Sequence, residues 1–305
     1  MNWLDNESII EITPPAPFNY EECLLFLGRS EQEVLYEIKD GAIWKLHNVS
    51  GNLVLFKISH HSNKLKVEFP ISPPSQEERQ EIAAYIWEWF DLETNLNEFY
   101  KTATEDPILH KLTTNYEGLR MMCLPNLFEA LTWAVMGQQI NLTFAYTLKK
   151  RFVEQFGESL SYGDQTYWLY PSAECIASLT VDDLRPLQFT GRKAEYIIGI
   201  AKTLASGELT KEKLLNMPTP LDMYQALIHM RGVGAWTADY VLMKCLHHRA
   251  AFPIADVGLH NALKNQLGLE RKPTIMEIKQ IAAHWEGWQA YATFYLWRSL
   301  YDRTL

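Results

Sequence analysis

A change in hydrophobic pattern near residue 112 is the feature that most restricts the fold of this 305-residue chain. Between residues 33 and 70 the chain carries four short segments rich in β-branched and aromatic residues, VLYEI, AIWKLH, LVLFKIS and KLKVEF. The turn sequences KDG, VSGN and HHSNK separate them, which is typical of antiparallel strands. From about residue 113 onward the strand pattern disappears and apolar residues recur at helical spacing. The pattern therefore predicts a sheet-containing unit followed by a helical body.

Helical signals surround the predicted strands. Residues 20–27 have a helical pattern, and Ser75 with Glu78 forms a capping box that opens a second helix ending near Phe90. We therefore predict an α+β domain over residues 1–112, an antiparallel sheet with helices packed on one face. For residues 113–305 we predict an all-α region of about ten short helices without the fixed period of a solenoid. The helical patterns cover residues 127–136, 142–156, 172–178, 181–187, 192–205, 220–229, 235–248, 258–267, 274–285 and 288–301.

Composition and charge limit the classes of protein to which the chain can belong. The hydrophobic fraction of 47% and the charged fraction of 21% are ordinary for a globular protein. No apolar run approaches the length of a membrane span, and the N-terminal residues MNWLDNESII lack the features of a signal peptide, so we expect an intracellular setting. A net charge of −9 argues against indiscriminate nucleic-acid binding. A local surface that binds DNA through backbone N–H groups needs few basic side chains, however.

The cysteines and histidines show no metal-binding signature. The four cysteines are scattered and form no CxxC pair, so we predict neither a zinc site nor a disulfide framework. His247, His248 and His260 have no matching carboxylates or cysteines at a ligand spacing, and we assign them no metal.

A glycine turn and an isolated aspartate stand out between residues 228 and 256. The sequence Met-Arg-Gly-Val-Gly lies between two helical patterns, and Gly232 and Gly234 suit a tight turn because glycine reaches positive φ at little steric cost. The helix after the turn begins with free N–H groups, which form a ready site for an anion such as phosphate. Asp256 lies between this helix and the next. A phosphate-binding turn with a carboxylate nearby is typical of an enzyme that acts on DNA.

These residues resemble a known family. The segments LIHMRGVGAWTADYVLMKC and FPIADVGLH resemble the hairpin, glycine-rich loop and aspartate of the helix-hairpin-helix DNA glycosylases. The resemblance extends over residues 128–158, 170–204 and 285–297. Together with its N-terminal α+β unit, the chain is similar to the bacterial DNA-3-methyladenine glycosylase II branch. The resemblance implies two helical subdomains within residues 113–305, with the active site between them.

The resemblance also implies a function in base excision repair. Such an enzyme flips alkylated bases, of the 3-methyladenine and 7-methylguanine type, out of double-stranded DNA and hydrolyses the N-glycosidic bond. We expect a monomer that requires no cofactor and acts in the bacterial cytoplasm in association with the nucleoid. Two alternatives stay open: a bifunctional glycosylase and lyase for oxidised bases, and a non-catalytic helix-hairpin-helix protein that only binds DNA.

The resemblance assigns catalysis to Asp256. Breaking the N-glycosidic bond places positive charge on the deoxyribose, and a fixed carboxylate stabilises that charge while it orients or deprotonates the attacking water. An N-cap for the helix that begins near Val257 is the plainer interpretation, and both can hold. Trp236 stands where the bifunctional relatives carry a lysine nucleophile, so the resemblance implies hydrolysis without strand cleavage. A tryptophan of the hydrophobic core is the alternative.

The predicted base pocket consists of aromatic residues. The resemblance places it among Phe26, Trp236, Tyr240 and Trp297, whose π faces suit an electron-poor or cationic alkylated purine. Aromatic stripes also occur as core, which is the alternative for each of them. Arg298, beside Trp297, departs from the family pattern, which has an aromatic residue there.

The remaining DNA contacts are predicted on two loops. The resemblance assigns the wedge that enters the minor groove to Met136 or Gln138, for which a polar helix junction is the alternative. On the hairpin, an ordinary glycine-bearing helix C-cap is the alternative. The hairpin residues implied are Gly232, Gly234 and Ala235, whose N–H groups bind phosphate, and Ile228, Met230 and Val233, whose backbone carbonyls bind a structural Na⁺ or K⁺ ion.

Overall fold

A computed structural model describes residues 1–302 of the chain. Its N-terminal part contains six antiparallel strands: β1 (Trp3–Asp5), β2 (Ile9–Ile12), β3 (Glu37–Lys39), β4 (Ala42–Val49), β5 (Asn52–His61) and β6 (Lys64–Glu68). Their order in the sheet is β1-β2-β6-β5-β4-β3. In β6 the buried residues Leu65 and Val67 alternate with Lys64, Lys66 and Glu68, because successive side chains of a strand point to opposite faces. One face of the sheet therefore packs into the core.

Two helices cover this sheet, α1 (Tyr20–Leu27) and α2 (Gln76–Trp89). The Tyr20 hydroxyl donates to the Ile58 carbonyl of β5 at 2.8 Å, and α2 packs against β2 and β4. The capping box of Ser75 and Glu78 is present at the start of α2, as predicted. The predicted α+β unit is confirmed, and β1 and β2 add two strands that the sequence pattern did not indicate.

The helical body follows. Its helices are α3 (Leu96–Thr104), α4 (Pro107–Asn115), α5 (Leu127–Gly137), α6 (Leu142–Phe156), α7 (Ala173–Ala177), α8 (Val181–Leu184), α9 (Gly191–Ala205), α10 (Lys211–Leu215), α11 (Pro220–Ile228), α12 (Ala235–Lys244), α13 (Val257–Gln266), α14 (Ile275–Ile281) and α15 (Gln289–Arg298). Among residues 1–302, no helix combines the length and the apolar composition needed to cross a bilayer. The helical segments predicted from residue 127 onward are present.

The body also contains a hairpin that the sequence pattern did not predict, formed by β7 (Ser159–Tyr162) and β8 (Gln165–Trp168). Each strand has only four residues and is largely exposed, so neither shows the alternation of buried and exposed residues that marks a longer strand. Tyr167 packs in a small buried cluster with Leu46 and Leu55 of the N-terminal sheet. This contact stabilises the hairpin and holds the body against the sheet.

The predicted domain boundary at residues 112 and 113 falls inside α4. The hydroxyl groups of Tyr100 in α3 and Tyr295 in α15 are 3.0 Å apart. The indole of Trp285 donates to the carboxylate of Asp106, the residue before α4, at 2.8 Å. Helices α3 and α4 therefore pack with the C-terminal helices rather than with the sheet.

Candidate active site

Asp256 lies at the N-terminus of α13, where three N–H groups hold its carboxylate. Oδ1 accepts from the Trp297 indole at 2.7 Å and from the Leu259 backbone at 2.7 Å, and Oδ2 accepts from the Trp236 indole at 3.0 Å. The bond from Leu259 is the N-cap that the sequence allowed as the plainer interpretation. An ionised carboxylate is purely an acceptor with about four lone-pair sites, so three N–H donors suit it and leave Oδ2 free to accept more. The N-cap role and a chemical role are compatible.

The helix α12 brings two of the predicted pocket residues next to this carboxylate. Trp236 and Tyr240 lie four residues apart and therefore on the same helix face. The Tyr240 ring lies between the two indoles, with its centroid 5.6 Å from that of Trp236 and 6.2 Å from that of Trp297. Tyr240 is buried, while both tryptophans are half-buried. The structure thus places three of the four predicted pocket residues around Asp256.

Gly258 is a further residue of this site, which the sequence analysis missed. A Cβ atom at this position would lie 2.9 Å from Asp256 Oδ1 and 3.1 Å from the Trp297 indole nitrogen. Both distances are shorter than ordinary contacts, so glycine is needed for the indole to reach the carboxylate. A glycine in the first turn of a helix is unfavourable for helix formation, and this was the signal available in the sequence.

Phe26, the fourth predicted pocket residue, is buried in α1 and packs on Phe294, with ring centroids 4.5 Å apart. The guanidinium of Arg29 lies 4.2 Å from the Phe26 ring centroid, and the ammonium of Lys244 lies 5.4 Å from it. Two basic side chains of the protein therefore already lie against the Phe26 ring, which was predicted to stack on a base.

Phe26 and Tyr240 line a common cavity behind the aromatic cluster. It has a volume of about 40 Å³, room for two or three water molecules but not for a purine. A flipped base therefore needs a side-chain rearrangement there, or it binds on the outer side of Tyr240, beside the half-buried indoles.

The glycine turn between α11 and α12 leaves several backbone N–H groups unpaired within the described part of the chain. Gly232 has a φ of +93°, and a Cβ atom there would lie 2.3 Å from the Tyr196 ring, so another residue would not fit. Gly234 is the N-cap of α12 and provides no side-chain cap. Within residues 1–302, no acceptor pairs with the backbone N–H groups of Gly232, Gly234 and Ala235. These groups are free to bind an anion.

The backbone carbonyls of the same turn offer oxygen ligands. Among the described residues, no donor pairs with the carbonyl oxygens of Ile228 and Val233, whereas Met230 accepts from the Val233 N–H at 3.0 Å. A carbonyl oxygen has two lone pairs, so Met230 retains one. The three predicted carbonyls therefore each keep a lone pair that could bind a cation.

The two predicted wedge residues lie at the end of α5 and just after it, and neither has a free side chain. Met136 is part of the hydrophobic core, with 0% of its surface exposed, whereas a wedge must lie on the surface that meets DNA. The Gln138 amide donates to the Gly232 carbonyl at 2.9 Å and to the Thr237 hydroxyl at 3.1 Å. Met136 continues the apolar face of α5 and therefore points into the core, although its place next to the loop after α5 suggested a wedge. Leu142, the first residue after this loop, is a large apolar residue that is 45% exposed to solvent.

Another carboxylate on this part of the chain, Asp239, lies on α12 between Trp236 and Tyr240 in sequence. Burial raises its pKa to about 6, and a hydrogen bond from the Phe252 backbone lowers it only in part. Its side chain approaches Phe252 and makes no hydrogen bond to either indole of the Asp256 site.

Comparisons with known proteins identify the family. Residues 132–287 match the model of the HhH-GPD superfamily of base excision DNA repair proteins. Residues 17–131 match that of the 8-oxoguanine DNA glycosylase N-terminal domain. The chain therefore belongs to the HhH-GPD superfamily, and the family resemblance inferred from its motifs is confirmed.

Relatives match over the full length. The chain is 47% identical to a DNA-3-methyladenine glycosylase of Bacillus subtilis (strain 168), over 99% of this chain and 100% of that protein. It is 33% identical to a putative DNA-3-methyladenine glycosylase of the same organism, over 95% and 98%. Among solved structures, a 3-methyladenine DNA-glycosylase from Archaeoglobus fulgidus superposes with a TM-score of 0.82 at 24% identity, covering 96% of this chain and 98% of that one. This likeness supports the shared fold.

Proposed function

We propose that the chain is a monofunctional DNA glycosylase that removes alkylated bases, of the 3-methyladenine and 7-methylguanine type, from double-stranded DNA in base excision repair. The observation that carries the proposal is the Asp256 carboxylate, held by two indole N–H groups beside a hairpin with free backbone N–H groups. The substrate class is supported by the relative at 47% identity, which is named for 3-methyladenine.

The parts of the site have separate tasks in this reaction. The N–H groups of Gly232, Gly234 and Ala235 bind a backbone phosphate and set the register of the DNA. The aromatic faces of Trp236, Tyr240 and Trp297 receive the flipped base, whose electron deficiency favours stacking. As the glycosidic bond breaks, the deoxyribose becomes cationic, and Asp256 stabilises that charge. The free lone pairs of Oδ2 are available to orient the water that completes hydrolysis.

Trp236 supports hydrolysis rather than lyase chemistry. A Schiff base with the sugar needs an amine, and an indole cannot provide one. Lys244 is on the same helix but eight residues later, about 12 Å further along the axis. It is buried, and its ammonium donates to the Met122 carbonyl, so it faces away from Asp256.

Leu142 is our proposed wedge in place of Met136. It is exposed in the first turn of α6, four residues after Gln138, whose amide bonds to the hairpin that we propose binds DNA. Leu142→Ala is expected to reduce base flipping, measured as the fluorescence rise of 2-aminopurine beside the lesion. Leu267→Ala, an exposed leucine that follows α13, is the control. Equal flipping in both variants would rule out this assignment.

The hairpin carbonyls of Ile228, Met230 and Val233 would hold a Na⁺ or K⁺ ion, which would supply positive charge near the bound phosphate. If the ion contributes, DNA affinity at constant ionic strength is expected to fall when both Na⁺ and K⁺ are replaced by tetramethylammonium, which is too large for the carbonyl site. Unchanged affinity would exclude a role for the ion.

The proposed enzyme acts in the cytoplasm on nucleoid DNA.

A panel of duplexes with single lesions tests the proposal directly. Each duplex carries 3-methyladenine (as a stable analogue), 7-methylguanine, hypoxanthine, ethenoadenine or 8-oxoguanine, and release of the free base is measured by chromatography. We expect release of methylated purines, leaving an abasic site in an uncut strand. Borohydride added during turnover is expected to trap no protein–DNA adduct. A covalent adduct, or activity confined to 8-oxoguanine, would favour the bifunctional alternative, and binding without release would favour a non-catalytic protein.

A further inference from the structure

A second polar cluster lies at the other end of α12. Asp91 follows α2 of the N-terminal domain, Cys123 belongs to the segment that leads into α5, and His247 comes shortly after α12. Asp91 and Cys123 are buried, and the side chain of His247 is 27% exposed. The three residues are distant in sequence, which is why the sequence analysis assigned His247 no metal partners.

The donor atoms of these residues converge. His247 Nδ1 is 2.9 Å from Asp91 Oδ1 and 3.6 Å from Cys123 Sγ. One ligand atom from each residue lies within 4.8 Å of the other two. In a tetrahedral site with Zn–N near 2.0 Å and Zn–S near 2.3 Å, nitrogen and sulfur ligands are separated by about 3.6 Å, and nitrogen and oxygen by about 3.3 Å. The donors therefore already have nearly the separations that such an ion requires.

Neighbouring groups orient two of these ligands. Glu88 Oε1 lies 3.1 Å from His247 Nε2 and also pairs with Lys211. The Tyr291 hydroxyl donates to Asp91 Oδ2. A carboxylate on the second ring nitrogen fixes the histidine tautomer that presents Nδ1 to a metal, a common arrangement around zinc. The cluster thus has ligands and their supports.

The backbone at His247 is strained, with a φ of +55°. For a residue other than glycine this conformation is unfavourable and persists where the surroundings require it. An ion pair of a protonated His247 with Asp91 and Glu88 would account for the two carboxylates. The Cys123 thiol, which packs in the hydrophobic core, also faces His247 Nδ1 at 3.6 Å, and a metal ion would use this third donor as well.

We propose that Asp91, Cys123 and His247 bind one divalent transition-metal ion of the zinc class, with Glu88 as the orienting residue. A thiolate, an imidazole and a carboxylate are ligands that zinc accepts. Glu88, Asp91 and His247 line a cleft beside the cluster, through which the ion would enter and from which a water would complete its coordination. The ion would tie the N-terminal domain to the end of α12 and serve stability rather than base excision.

Cobalt is the probe for this site. The full-length protein is dialysed against a chelator and titrated with Co²⁺ under reducing conditions. We expect one Co²⁺ per chain, the d–d bands of a tetrahedral ion, a thiolate-to-cobalt charge-transfer band, displacement by Zn²⁺ and a rise in melting temperature. Absence of these bands, with no change in melting temperature, would overturn the proposal and leave the ion pair.

Variants locate the ligands. Cys123→Ser is expected to abolish the charge-transfer band, while Cys245→Ser, a buried cysteine outside the ligand set, keeps it. Glu88→Gln is expected to weaken Co²⁺ binding roughly 10- to 100-fold. Loss of the band in Cys245→Ser with its retention in Cys123→Ser would overturn the assignment. If Cys123→Ser does not fold, the titration of the wild type and of Cys245→Ser decides.

Discussion

Asp256 and Asp91 lie near opposite ends of α12 and differ in what surrounds them. Asp256 accepts three N–H bonds from two neutral indoles and the backbone, and its residue is half-buried beside the hairpin. Asp91 is buried and contacts the imidazole of His247 and the hydroxyl of Tyr291. Neutral donors orient the Asp256 carboxylate without bringing an opposite charge. The negative charge of Asp91 can be neutralised by a protonated His247 or by a metal ion bound to both residues.

This difference gives the two carboxylates, one near each end of α12, different expected roles. A carboxylate can stabilise a cationic transition state only if its charge is not already compensated and substrate can reach it. Asp256 meets both conditions, whereas Asp91 meets neither. Asp256 is therefore expected to contribute to the reaction and Asp91 to the folded state.

The largest effect is expected from Asp256→Asn, which should lower the single-turnover rate of base release roughly 10²- to 10⁴-fold. Asparagine is as good an N-cap as aspartate, so the melting temperature should change little. Binding to an abasic-site duplex is measured in parallel and should be retained. A fully active variant would contradict the assignment of Asp256.

Next is Asp91→Ala, which should lower the free energy of unfolding by about 3–5 kcal/mol because it removes the acceptor of the buried Tyr291 hydroxyl and one of the two carboxylates that pair with His247. The measurement is urea denaturation, with base release assayed at a temperature where the variant is folded. Asp182→Ala, an exposed aspartate on α8, is the control and should be neutral. A stable but inactive Asp91→Ala protein would break the contrast between the two carboxylates.

A smaller loss of activity is expected from Trp236→Phe and Trp297→Phe. Each removes one hydrogen bond to the Asp256 carboxylate while keeping an aromatic ring, at a cost of about 1.5–3 kcal/mol, or roughly 10- to 100-fold in rate. Trp168→Phe, in β8, is the control. If neither replacement slows base release although Asp256→Asn does, the indoles do not position the carboxylate for the reaction.

The smallest effect concerns Asp239, the third carboxylate. Burial raises its pKa from 3.8 to about 6. Between these values the folded state binds a proton that the unfolded state has released, so wild-type stability falls as pH rises from about 4 to about 6. Asp239→Asn lacks this penalty and should be more stable at pH 7 by about 1–3 kcal/mol, a gain that disappears near pH 4.

Urea denaturation between pH 4 and pH 7 measures this gain. Asp164→Asn, at the exposed turn of the β7–β8 hairpin, is the control and should show none of it. A gain that does not depend on pH would mean that the effect comes from something other than the proton on Asp239.

The sequence allowed accurate prediction where local pattern and local capping agree. Helices α1, α6 and α9 were predicted to within a residue, because their apolar spacing and their Asn or Thr caps point to the same start. The β7–β8 hairpin and helices α3 and α4 were missed, because contacts with the sheet or with α15 stabilise them.

What the sequence by itself determined is the family, the fold class and the presence of a glycine hairpin with a carboxylate after it, because these depend on residue type at a fixed local spacing. Tertiary structure alone decided which side chains meet. It turned Met136 into the core, covered Phe26 with Arg29, placed both indoles on Asp256 across a glycine, and brought His247 to Asp91 and Cys123. Such contacts join residues far apart in the chain, so they depend on how the helices pack rather than on any pattern along them.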